Sequence, residues 1–255
     1  MKSRVSIVLP FYNEEANVQR VVNDLLAACR KSAWAIDLVC VQNGSRDQTP
    51  QLLQALAAEN PEVSIVKVPV NCGYGYGVRE GLRHAAGDVI GYLDGDGQVS
   101  PDAVLRSIGG MQTHRAAKAV RVERQDGCQR RCISWCYNQL LRFLFLVLFR
   151  VHSRDANAKP KFLRRSDLQL LDLVSDDWFI DAEVMVKTAA LGITWAEHPV
   201  RFLKRQGGRS NVRLSTIKEF LANLLRWRFG GLYSTWRRRT VRLSAQNAAE
   251  FSHHD

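Results

Sequence analysis

The chain has 255 residues, 46% of them hydrophobic, enough for one large α/β domain or two small ones with a sizeable core; this excludes a disordered or fibrous chain. Its formal charge of +11 implies an acidic partner: nucleic acid, a phosphorylated substrate or an anionic membrane surface. The six cysteines form no CxxC pair and read as reduced thiols in a cytosolic setting, because disulfide frameworks belong to short secreted chains.

The first ninety residues alternate two periods. The strand-like runs "VSIVL", "IDLVCVQ" and "VSIVKVPV" are separated by the helical patterns "NVQRVVNDLLAACRK" and "TPQLLQALAAEN", which predicts a doubly wound, mostly parallel sheet with flanking helices. The first apolar run stops at Pro10 and meets Glu14 and Glu15, too early for a signal-peptide core, so export is not expected. A further buried strand from Val89 ends at Asp94, and "PDAVLRSIGGMQ" resumes the helical pattern after Pro101. A basic, strand-like segment follows over Ala119 to Arg124. In "CQRRCISWCYNQLLRFLFLVLFR", Cys128, Cys132, Cys136, Leu140, Phe143 and Val147 recur at helical spacing as one apolar stripe. Its longest apolar run, Leu140 to Phe149, contains Arg142 and falls well short of the roughly 20 residues that span a bilayer.

Such sheets bind ligands beyond the carboxyl ends of their strands. The polar clusters "PFYNEE", "QNGSRDQT", "NCGYGYG" and "DGDGQ" all fall there. Asp94 and Asp96 would repel each other as an ordinary acidic turn, and a hard divalent cation removes that repulsion. An EF-hand is excluded, because counting from Asp94 puts Val99 and Leu105 where the glycine and the bidentate glutamate belong. The glycines of "GYGYG" lack the full dinucleotide fingerprint, and no Walker A sequence is present; the loop reads as adjacent to a nucleotide or phosphate.

Taken in order, "VSIVLPFYNEEANV", "VQNGSRDQT", "GYLDGDGQVSPD", "RRCIS", "DANAKPKFLRRS", "DDWFIDAEVMVKTAALGITWAEHPV" and "RQGGRS" resemble glycosyltransferase family 2. The subgroup most similar to them is the dolichyl-phosphate mannose synthase-like and polyprenyl-phosphate glycosyltransferases, over Val5 to about Ser210. The resemblance implies a GT-A fold that holds a nucleotide-diphosphate sugar through Mg2+ or Mn2+, with Asp94, Asp96 and Gln98 on the metal motif. It places Pro10, Tyr12 and Glu14 in the nucleoside pocket, with Gln42 and Asn43 beside it. Many relatives carry two aspartates at this last pair, and amides both donate and accept hydrogen bonds, so the base that is read is left open.

For the acceptor, the resemblance places a lipid phosphate at Arg121, Arg130 and Ser134, with Arg124 and Arg131 nearby. Arg205, Gly208 and Ser210 match a late loop that closes over the donor. The implied catalytic residues are Asp96, Arg130 and Arg205. Asp155, Asp181 and Glu183 fall on family positions near the acceptor or in the core. A phosphate acceptor is already ionised and needs no general base; a sugar hydroxyl needs one, for which Asp181 or Asp177 is the candidate.

The last segment, 213–255, is expected to be distinct from a catalytic domain of residues 1–212. Leu214, Ile217, Leu221 and Leu224 recur at helical spacing, and arginines from Arg226 to Arg242 interleave with Trp227, Tyr233 and Trp236. This predicts an amphipathic interfacial helix on anionic lipid, in preference to a nucleic-acid patch. The final "AQNAAEFSHHD" is expected to be disordered. The expected function is inverting, metal-dependent sugar transfer to a polyprenyl phosphate, by an enzyme peripheral on the cytoplasmic face of the membrane with no nucleic-acid partner. The alternatives are transfer to a glycan or lipid hydroxyl, and a non-catalytic basic binding module.

Overall fold

The computed structural model describes residues 3–124, 128–205, 207 and 214–240, without the side chains of 124, 128–134, 136 and 214–218. Seven strands, β1 (Arg4–Phe11), β2 (Ala35–Asn43), β3 (Val63–Val68), β4 (Val89–Tyr92), β5 (Ala116–Arg124), β6 (Lys161–Arg164) and β7 (Trp195–Phe202), form one sheet in the order β3-β2-β1-β4-β6-β5-β7. The pairs β1·β2, β2·β3, β1·β4 and β5·β7 are parallel, whereas β6 runs antiparallel to both neighbours. β6 therefore starts at the edge where the other strands end, with Lys161 opposite Tyr92.

Helices α1 (Glu15–Arg30), α2 (Thr49–Glu59) and α4 (Pro101–Gly109) contribute to the core on one face. On the other lie α3 (Tyr74–His84), α6 (Arg165–Leu171) and α7 (Ile180–Ala190). Cover on both faces explains why β1 is apolar at every position after Arg4 except Ser6 instead of alternating: every residue after Arg4 is buried. Gly81 lets α3 lie close on the sheet, since a Cβ there would come within 2.2 Å of Val8 Cγ1. The start of α4 was legible in sequence: Ser100 Oγ accepts from Ala103 N at 3.4 Å and Pro101 takes the first helical position.

A third apolar cluster joins α7 to α5 (Cys128–Phe149) and α8 (Leu214–Phe229), through Leu141, Phe145, Phe179, Met185, Phe220, Leu224 and Trp227. This revises the reading of the C-terminal stripe. Leu224 is 1% exposed, so it faces α5 and α7 and not lipid. Residues 232–240 are helical too. What α5 and α8 leave uncovered is another surface, with Trp135 64%, Phe143 61%, Val147 59% and Phe229 70% exposed. The cysteines of the predicted stripe, and Leu214 and Ile217, lie outside the described side chains.

Candidate active site

The two aspartates after β4 have different surroundings. Asp94 is clamped: Oδ1 accepts from Tyr74 Oη at 2.7 Å, and Oδ2 lies 3.2 Å from Lys159 Nζ. Asp96 closes a tight turn by accepting from Gln98 N at 3.0 Å, and its other oxygen is 3.9 Å from Arg205 Nη1. Burial and the neighbouring charge of Asp94 push the Asp96 carboxyl up to about 6, with Gln98 N and Arg205 only partly offsetting them.

A carboxyl raised from 3.8 to about 6 favours the folded state most below its ordinary value, and that contribution is lost as pH rises through about 6. A divalent cation bound at this carboxylate would compete with the proton. Mn2+ is therefore expected to raise the melting temperature more near neutral pH than at about pH 5, measured by thermal denaturation with and without the ion. An equal shift at both pH values would place the cation elsewhere.

Arg205, after β7, pairs with Glu14 after β1 and donates from Nε to Gly207 O at 2.8 Å. Asn17 Nδ2 holds the same glutamate at 2.6 Å and Gly207 O at 3.2 Å. Glu14, predicted in the nucleoside pocket, is thus engaged by Arg205 and Asn17. Gln98 donates from Nε2 to Leu203 O at 3.0 Å. Gly208 and Ser210 lie outside the described residues.

Of the residues expected around the nucleoside, Pro10 is buried and Tyr12 half-buried. Gln42, with its amide oriented by its neighbours, donates to Val68 O and accepts from Ser45 N, both at 3.0 Å. Asn43 is 3% exposed and donates to Gly73 O at 3.0 Å. Both amides therefore brace loops around the site. The glycines of "GYGYG" serve close packing: Gly73 has φ +116°, and a Cβ there would lie 2.2 Å from Asp176 O. Tyr76 N donates to that same carbonyl at 3.0 Å.

Sequence reasoning missed the lysines of "AKPKF". Lys159 and Lys161 are buried at the start of β6, and both pair with Asp181 of α7, Lys159 at 3.0 Å. Tyr92 Oη donates to Asp181 as well, at 2.8 Å. Burial alone would raise the Asp181 carboxyl, but the two lysines hold it below the ordinary range. Burial also pushes Lys161 down to about 8, against the pull of Asp181. Lys159 lies 4.7 Å from the centroid of Tyr74, whose ring stacks on Trp178 at 4.3 Å. Glu183, on the same turn of α7 as Asp181, fixes the 174–175 backbone through Val174 N and Ser175 N at 2.9 and 2.8 Å.

Arg121, predicted on the acceptor phosphate, forks onto Asp155 at 2.6 and 2.8 Å. Lys118 lies beneath this pair, donating to Asp155 O at 2.9 Å. Arg130 and Ser134 are placed on the first two turns of α5, with side chains outside the described part. Asp177, one candidate base, accepts from Phe179 N at 2.7 Å and from Asn223 Nδ2. The other, Asp181, is 2% exposed between its lysines. A cavity of about 570 Å³ lined by Ser3, Trp34, Asp88, Met111, Gln112 and Arg164 opens at the opposite edge and shares no residue with this site.

Among the described residues, no three His, Cys, Asp or Glu side chains gather around one point. The donor set nevertheless fits a magnesium- or manganese-type ion: hard oxygens on Asp94 and Asp96, with the Asp96 proton affinity raised by burial and by the charge of Asp94. Such ions are commonly held by one or two carboxylates and completed by substrate phosphates.

The undecaprenyl-phosphate 4-deoxy-4-formamido-L-arabinose transferase of Pectobacterium atrosepticum is 36% identical over 141 residues, 54% of this chain and 43% of that protein. The protein of the same name from Pseudomonas aeruginosa is 37% identical over 130 residues, 50% of this chain and 38% of the relative. The match thus spans less than half the length of these two relatives. The dolichyl-phosphate beta-glucosyltransferase of Trichomonas vaginalis is 24% identical over 236 residues, 87% of this chain and 72% of that one. Among solved structures, glucosyl-3-phosphoglycerate synthase from Mycobacterium tuberculosis, crystallised with Mn2+, uridine diphosphate and glucosyl-3-phosphoglycerate, superposes with a TM-score of 0.67 at 19% identity. It covers 89% of this chain and 80% of the other, a likeness of fold that makes this a GT-A domain. The family model "Glycosyl transferase family 2" matches residues 6–168, and the chain belongs to glycosyltransferase family 2.

Proposed function

We propose that this chain transfers one sugar from a nucleotide-diphosphate sugar to a polyprenyl phosphate, with inversion, at the cytoplasmic face of a membrane. The observation that carries the choice of acceptor is the engagement of both candidate bases. Asp181 is locked between two lysines and Asp177 caps the chain before α7, so neither is poised to take a proton from a hydroxyl. A phosphate monoester needs no such help. Its oxygen attacks the anomeric carbon as the bond to the nucleoside diphosphate breaks on the opposite side. Relatives named for undecaprenyl-phosphate and dolichyl-phosphate transfer support the same acceptor class.

In this reading Asp96, with Asp94 and Gln98, would hold Mg2+ or Mn2+, which when bound would supply positive charge to offset that of the leaving nucleoside diphosphate. Arg205 releases part of its pairing with Glu14 to reach that diphosphate. Arg130 and Ser134, on the first turns of α5, receive the acceptor phosphate, since guanidinium groups fit phosphate through forked hydrogen bonds. Among the described residues no helix is long and apolar enough to cross a membrane. The uncovered face of α5 and α8 carries Trp135, Phe143 and Phe229, flanked by exposed Arg142, Arg226 and Arg228. That combination suits an anionic lipid surface.

The assay that tests this reading incubates the protein and Mn2+ with a panel of nucleotide sugars, with and without polyprenyl phosphate in anionic vesicles. Nucleoside diphosphate release is expected to depend on the lipid phosphate for one donor. Co-sedimentation with those vesicles is expected to weaken but persist as salt rises, because apolar burial is not screened. Phe143→Asp with Phe229→Asp should abolish the salt-resistant part. If the double variant sediments as well as the parent, the contact lies on another face.

A further inference from the structure

Lys159 is not a surface charge. Its side chain is 6% exposed, and its ammonium stands between Asp94 at 3.2 Å and Asp181 at 3.0 Å, beside the stacked rings of Tyr74 and Trp178. Asp181 does not depend on it, because Lys161 and Tyr92 also hold that carboxylate. Among the described residues, Lys159 supplies the ion-pair contact to Asp94. Tyr74 binds the other oxygen of this aspartate through a neutral hydroxyl, which orients the carboxylate but cancels no charge.

We propose that Lys159 is an internal counter-cation of the donor site, which lowers its affinity for a free divalent ion so that the ion is held firmly only together with a nucleoside diphosphate. The inference rests on the metal-site reading above and is independent of the acceptor. Two adjacent carboxylates without compensation attract a divalent cation strongly, and a fixed positive charge on one of them subtracts from that attraction. The diphosphate restores the missing negative charge when the donor arrives. The chain thereby keeps ions from filling the site before the donor does. Lys159 is a positioning residue in this scheme, acting through Asp94.

The test is Mn2+ binding, read as loss of the free-ion signal in electron paramagnetic resonance, with no turnover involved. For the parent protein, weak binding of Mn2+ alone is expected, tightened strongly by uridine or guanosine diphosphate. Lys159→Met keeps the buried volume and leaves Asp181 paired. It should bind Mn2+ alone about tenfold more tightly or better, given the size of a unit charge at such distances, and gain less from the diphosphate. Tyr74→Phe removes a hydrogen bond to the same carboxylate but leaves the net charge unchanged, so its Mn2+ affinity should rise less than that of Lys159→Met, which separates charge from geometry. A merely structural role for Lys159 predicts the reverse, weaker binding in Lys159→Met.

Unchanged or weaker Mn2+ affinity in a Lys159→Met protein with the parent's circular dichroism overturns the proposal while leaving the metal site standing. Should that variant not fold, Lys159→Gln takes its place, with tighter binding of Mn2+ alone expected and unchanged or weaker binding overturning the proposal. If the parent binds no Mn2+ even with either diphosphate, the metal-site reading falls and the proposal with it.

Discussion

Asp96→Asn is expected to reduce metal-dependent transfer by roughly a hundredfold to a thousandfold, the scale for removing one group that stabilises developing charge, while making the metal-free protein more stable. Both effects come from one arrangement. The carboxylate is buried beside Asp94 and raised to about 6, so near neutral pH the fold carries an ionised group it would rather protonate. A shift from 3.8 to about 6 corresponds to about 3 kcal/mol, and an amide of the same shape removes much of that cost. The expected gain is a few degrees in melting temperature near neutral pH, shrinking as the solution is acidified toward pH 4, where the parent is protonated as well. Kinetics with Mn2+ and thermal denaturation without it check the two halves separately. Full Mn2+-dependent turnover would remove Asp96 from the metal site, and a destabilised variant would contradict its electrostatics.

Arg121→Ala is expected to cost about 3 to 5 kcal/mol of folding stability, the range for leaving one partner of a buried ion pair uncompensated. Asp155 has a side-chain exposure of 3% and receives both arms of Arg121. Its remaining side-chain contact in the described structure is Asn157 N at 3.2 Å. Denaturant midpoints measure the loss, and the double variant Arg121→Ala with Asp155→Ala should recover part of it, because the stranded charge is removed too. A single variant as stable as the parent would show that the pair is not buried in solution and would return Arg121 to the acceptor phosphate as a free ligand.

The sheet was legible because β1 to β4 and their helices keep to two different periods, and α2, α3 and α4 are bounded by Asn60, Gly73 and Ser100. The carboxylate pair was legible for the same reason: a strand pattern ends just before it. β6 was not. Its four residues, Lys161–Arg164, follow "AKP" and contain two basic residues, which in sequence look like a loop on the surface. Lysines are seldom buried, and those here are buried only because Asp181 arrives from α7, some twenty positions later. Arg121 was placed on the acceptor phosphate by the family resemblance; its pairing with Asp155, 34 residues away, was not legible, because pairing across a fold leaves no periodic trace. The apolar stripe of α8 was visible, but the surface it covers was not: Leu224 and Phe220 meet α5 and α7, and the uncovered apolar residues sit elsewhere on the same helices. Gln42 and Asn43 match positions beside the nucleoside, yet whether an amide reads a base or braces a loop depends on neighbours that only the folded chain supplies.

The most direct test of the account compares two acceptors that differ by one group. With the preferred nucleotide sugar and Mn2+, the protein is offered a short polyprenyl phosphate or the corresponding polyprenol, and the glycosylated lipid is identified by mass. The account predicts product with the phosphate and none with the alcohol, because the phosphate oxygen is already ionised while Asp177 and Asp181 are both engaged. Comparable product from the alcohol, or transfer that ignores the lipid phosphate, would contradict it.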